Sequence, residues 1–70
     1  AGRPAEALEV LRRAHRAAPT DREILLGLAT ISRDSGAAAE ALRYARTLAE
    51  LTPGDPAARQ LVAELQRATR

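Results

Sequence analysis

Seventy residues without a cysteine allow one small domain held by neither disulfides nor thiolate-bound metal, and so short a chain buries only about 60% of its unfolded surface. Lysine is absent, all eleven basic residues are arginine, alanine fills 17 positions and the net charge is +2, a bias that points to a GC-rich bacterial genome rather than a selected basic surface. No stretch approaches the roughly 20 apolar residues of a membrane span, and the N-terminus does not read as a signal peptide.

The first helix is predicted from about Pro4 to Ala18, with proline at an early position where its missing N–H costs nothing. Ala7, Leu8, Val10, Leu11, Ala14, Ala17 and Ala18 form a broad apolar face, opposite Glu6, Glu9, Arg12, Arg13 and Arg16. Pro19 stops it. His15 has no cysteine and no second histidine nearby, so it reads as a boundary residue rather than a ligand.

A second helix starts at Arg22, after either an Asp21 N-cap or a Thr20-x-x-Glu23 capping box. Ile24, Leu25, Leu28 and Ile31 recur at helical spacing, Ala29 offers a small contact, and Gly36 closes the helix. The third helix spans about Ala38 to Leu51, with Ala41, Leu42, Ala45, Leu48 and Ala49 inward. Its many alanines allow close packing as an antiparallel hairpin. Tyr44, the one aromatic, reads as a buried ring with its hydroxyl at the edge. Pro53-Gly54 breaks the chain, and Asp55-Pro56 starts a fourth helix over about 56–69. Ala58, Leu61, Val62 and Leu65 form its packing face, and Arg59, Gln60, Glu64 and Arg67 its polar one.

The charges offer little chemistry. Glu9 with Arg13 and Glu40 with Arg43 stand at helical pairing distances. The Arg12, Arg13, Arg16 cluster lacks the aromatic or glycine interleaving that base stacking needs, so nucleic acid is not expected as a partner. No glycine-rich phosphate loop, zinc-ligand cluster or His-x-x-Glu constellation is present, carboxylate pairs such as Glu6 and Glu9 stand beside arginines that keep them ionised, and neither a cofactor, a metal nor an enzymatic activity is expected.

Organisation comes from a longer period. Pro19 and Pro53, Gly2 and Gly36, Ala7 and Ala41, Leu8 and Leu42, and Asp21 and Asp55 all stand 34 residues apart. Laying 2–21 over 36–55 gives 8 identities in 20 positions. A helix–turn–helix unit at this period is the mark of a repeat array.

The chain resembles the tetratricopeptide repeat family. Leu25, Leu28 and Ala29 fill the first three slots of its pattern, Ala41 follows, and Pro53 ends the unit. Ala7, Leu11, Ala14 and Pro19 fill the corresponding slots of a partial repeat. Ser32 and Ala45 stand where the family usually carries aromatics, and Arg59 takes a large apolar slot, as suits a capping position. The resemblance implies an all-α fold: four helices in antiparallel helix–turn–helix repeats, stacked as a short right-handed superhelix. The single domain, 1–70, divides into the second helix of a partial repeat (4–18), one complete repeat (22–55) and a closing helix (56–69). A chain that begins in mid-repeat without methionine reads as a segment of a longer protein.

The same resemblance implies a non-catalytic scaffold that presents a concave surface to a protein or peptide. By that resemblance Glu23, Leu26, Gly27, Thr30, Arg33, Gln60, Glu64 and Arg67 line the groove. Some members hold a C-terminal carboxylate with basic and amide side chains. Here those positions carry Leu26, Gly27, Thr30, Ala57 and Leu61, so no carboxylate clamp is expected. The alternative is a structural accessory segment packing on the rest of its parent chain. That parent would be a multidomain enzyme or, from the similarity of Ile24–Asp34 to repeats ending bacterial multihaem cytochromes, one of those. An apolar strip on the first helix, including Leu8 or Val10, is expected to lack cover and to support weak homodimerisation; membrane association is not expected.

Overall fold

The computed structural model describes residues 4–69, and within them the chain forms four α-helices in sequence: α1 (Pro4–Ala17), α2 (Arg22–Asp34), α3 (Ala38–Leu51) and α4 (Pro56–Ala68). Gly2, expected as the turn residue of the partial repeat, lies outside the described residues. Consecutive helices pack on one another, and α2 with α3 forms the central hairpin.

The helix ends follow from local chemistry. The Asp21 carboxylate accepts from the backbone N–H groups of Glu23 (2.9 Å) and Ile24 (3.3 Å), which makes Asp21 rather than Thr20 the cap of α2. At the other end Ala37 N–H donates to Ser32 C=O (2.8 Å) and Gly36 N–H to Arg33 C=O (3.1 Å). This Schellman closure needs a left-handed residue, and Gly36 supplies it with φ +85°. Asp55 caps α4 by accepting from Ala57 N–H at 2.9 Å, with Pro56 at the first helical position. Ala37 heads α3 without any side-chain cap.

Two apolar clusters make the core. One joins Ala29 to Ala41, Leu42 and Ala45 and to Leu61 and Leu65, and so ties α2, α3 and α4 together. The other joins Leu25, Leu48 and Ala58. Fully buried alanines on α2 and α3 let the two helices approach closely and leave room for leucines from α4. Ser32 is also fully buried, and its hydroxyl has no hydrogen-bond partner. The aromatic slot therefore holds a small polar side chain enclosed in the stack.

The first helix departs from the expected face. Leu8 is covered, at 7% exposure, whereas Val10 is 65% exposed. Leu8, Leu11, Arg12 and His15 recur at three- and four-residue steps and form one stripe toward α2 and α3; Val10 is turned away. Leu11 meets α2 at Gly27, where an added Cβ would stand 3.3 Å from Leu11 Cδ1. The absence of a side chain at Gly27 thus leaves room for the end of the Leu11 side chain.

Candidate interaction surface

The α2 and α4 helices present the surface on which most of the candidate residues fall. At their N-terminal ends a shallow depression of about 200 Å³ opens between them, with α3 behind it. Leu26, Leu48, Ala57 and Ala58 give it apolar walls; Arg22, Glu23 and Asp55 stand at its edge. Leu26 is 47% exposed, while Leu48 behind it is covered. Asp55 is occupied as a helix cap.

Farther along the same helices, Arg33 reaches across to Glu64 at 3.8 Å and also to Asp34 at 3.2 Å. Both contacts are open to solvent, where such pairs orient side chains more than they stabilise the fold. Thr30 turns its hydroxyl back onto the carbonyl oxygens of Leu26 (2.9 Å) and Gly27 (3.2 Å), which occupies its donor. Gln60 and Arg67 are exposed on α4. Of the expected groove set, Glu23 and Leu26 share the depression and Arg33 and Glu64 meet. Gly27 serves the α1 contact described above.

Arg22, Leu48, Thr52, Asp55, Ala57 and Ala58 complete the lining and were not among the expected groove residues. The 34-residue period carried part of the signal, since Ala57 stands one period after Glu23. Leu48 gave none, because it reads as core; only the packing of α3 behind α2 and α4 brings it to the floor.

A second polar cluster joins α1 to α3. One Arg12 nitrogen donates to both Glu40 carboxylate oxygens, at 2.7 and 2.9 Å, and Tyr44 O–H donates to Glu40 at 3.4 Å. The bond to Glu40, followed by Tyr44, raises the Arg12 pKa and holds the guanidinium charged. His15 meets the Tyr44 ring edge-to-face at 5.8 Å, and its buried Nδ1 has no partner. The expected Glu40–Arg43 pairing is thus replaced by a bond between helices: Tyr44 and Arg12 lie on the side of α3 to which Glu40 turns. The Glu9–Arg13 pair forms as expected, at 3.3 Å. Arg12, the first member of the basic cluster, is engaged by this carboxylate.

Among the described residues no group of three or more histidine, cysteine, aspartate or glutamate side chains is placed to hold a metal ion, and no helix is long and apolar enough to cross a membrane. A family model of the tetratricopeptide repeat matches residues 1–65. Comparison with curated proteins and with solved structures gave no match.

Proposed function

Because this chain belongs to the tetratricopeptide repeat family, whose members are generally protein-interaction modules, we propose that it is a non-catalytic scaffold whose α2–α4 surface receives a protein or peptide partner. The observation that carries this reading is the depression beside Leu26. An apolar side chain seated there covers Leu26 and Ala57, and each methylene buried contributes about 0.8 kcal/mol. Arg22 and Glu23 at the rim, with Arg33 and Glu64 farther along, give the partner polar contacts of both signs. Gln60 and Arg67 extend the surface along α4. Leu26, Gly27, Thr30, Ala57 and Leu61 supply no side-chain donor for a terminal carboxylate, Thr30 because its hydroxyl is engaged. These five positions build no clamp, and with Arg22 as the one guanidinium at the rim, the partner proposed is an internal segment with an apolar anchor.

Selection from a peptide library, followed by NMR mapping, tests the reading. Selected peptides should carry a leucine-sized anchor, shift the amides of 22–26 and 55–58, bind equally with an amidated C-terminus, and lose at least tenfold in affinity on Leu26→Glu. Peptides that bind Leu26→Glu undiminished would overturn it. So would a saturable acidic-tail peptide that requires its terminal carboxylate.

A further inference from the structure

The outer side of α3 and α4 carries a second depression, of about 330 Å³, lined by Arg46, Ala49, Glu50, Arg59 and Val62. Shifted back by one period of 34, these positions are Arg12, His15, Arg16, Leu25 and Leu28. Several of those are the residues on which α3 itself rests. Arg12 bonds Glu40, His15 meets the Tyr44 ring, and Leu25 shares a cluster with Leu48. The depression is thus the seat of α3 repeated one unit later, with no helix of the described chain in it.

The sequence also contains a helix built like α3. Glu6, Ala7, Leu8 and Arg12 are identical to Glu40, Ala41, Leu42 and Arg46 at the 34-residue offset, and Val10 stands in the place of Tyr44. Val10 is the most exposed large apolar residue of the described chain. We propose that copies of this chain associate head to tail, with α1 of one copy lying in the α3–α4 seat of another. In that contact Val10 packs on Ala49, as Tyr44 packs on His15. Ala7 approaches Ala63, as Ala41 approaches Ala29. Glu6 stands over Arg46, as Glu40 does over Arg12. Whatever contact Glu6 makes within its own chain, its carboxylate has acceptor sites on two oxygens. Charge complementarity therefore accompanies the apolar match, because the repeat register brings the Glu6 carboxylate, and no second arginine, onto Arg46.

The contact joins two different surfaces, so it is heterologous, and every assembly short of a closed ring leaves one seat and one α1 exposed at its ends. Arg59 in place of Leu25 makes the new seat less apolar than the original, Ala49 in place of His15 removes the ring contact, and the association is weak. The inference concerns a surface separate from the α2–α4 depression and stands or falls independently of the proposed function.

Sedimentation equilibrium across a concentration series up to millimolar, with folding checked by circular dichroism, tests it. The wild-type chain should grow beyond dimer as concentration rises. Val10→Glu spoils the inserted helix and Arg46→Glu the seat; each alone should remain monomeric. Their equimolar mixture should form a dimer and nothing larger, because one intact seat then meets one intact α1. If either variant disturbs folding, Val10→Ser and Arg46→Ala carry the same test. A wild type that is monomeric throughout leaves the seat to some other helix and overturns the proposal. Unchanged self-association of the Arg46 variants would also overturn it, since that is the behaviour of a symmetric α1–α1 dimer.

Discussion

The two outer helices lean on the α2–α3 hairpin by different means. α4 inserts Ala58, Leu61 and Leu65, all buried, into the apolar clusters. α1 contributes Leu8 and Leu11 but is joined to α3 by an arginine–glutamate bond and a histidine–tyrosine ring contact. Apolar burial is non-directional and scales with area, whereas these polar contacts depend on geometry and remain partly wet, with Arg12 37% and Glu40 23% exposed. The difference implies that α4 unfolds with the hairpin and that α1 opens more readily.

The largest expected effect breaks the α4 side. Leu65→Ala empties a fully buried site and should cost about 2–5 kcal/mol, enough to remove most of the stability of so small a domain. Thermal melts followed by circular dichroism should show a broad or missing transition, while Val10→Ala stays within about 0.5 kcal/mol of the parent. Comparable losses from the two would mean that α4 is no better anchored than the exposed face of α1.

Next comes the hairpin on which both helices depend. Ala41 is fully buried against α2, so Ala41→Leu should overpack the crossing and cost about 1–3 kcal/mol. Ala39→Leu, on the exposed side of the same helix, should leave urea unfolding almost unchanged. Equal midpoints would place the crossing elsewhere.

A smaller effect has the opposite sign. The buried Ser32 hydroxyl has no partner, so Ser32→Ala should stabilise the chain by about 1 kcal/mol, seen as a higher urea midpoint at constant slope. A lowered midpoint would show that the hydroxyl is bonded in solution.

The smallest effect sharpens the comparison. Arg12→Gln removes the charged bond to Glu40, and amide hydrogen exchange should accelerate across α1 while α4 keeps its protection. Acceleration spread evenly over all four helices would mean that α1 is part of the same cooperative unit as α4.

Much of the fold was legible because its signals are local. Asp21 and Asp55 cap helices through backbone N–H groups two or three residues away, and Gly36 closes α2 within five residues. The apolar stripes of α3 and α4 follow from helical spacing, whereas on α2 the buried stripe runs through Leu25, Leu28, Ala29 and the polar Ser32 and leaves Ile24 and Ile31 half-buried. The site was less legible. Glu23 and Leu26 could be placed on the α2–α4 surface by the family pattern. Their depression depends on Leu48 and Thr52, which come from a third helix whose sequence shows only a core face and a helix end.

What the sequence determined by itself, then, was the four helices to within a residue of their ends, because each rests on hydrogen bonds and apolar spacing within a few residues of chain, and the 34-residue repeat, because identities recur at that period. The tertiary structure decided the partners. Glu40 had Arg43 within reach along its own helix and was given Arg12 from α1. Leu8 and Val10 looked alike in composition, and the rotation of α1 covered one and exposed the other. Gly27 marked no turn; it makes room for the Leu11 side chain. Each of these outcomes depends on the distance and rotation between two helices, which the packing of all the side chains fixes jointly and no short stretch of sequence encodes.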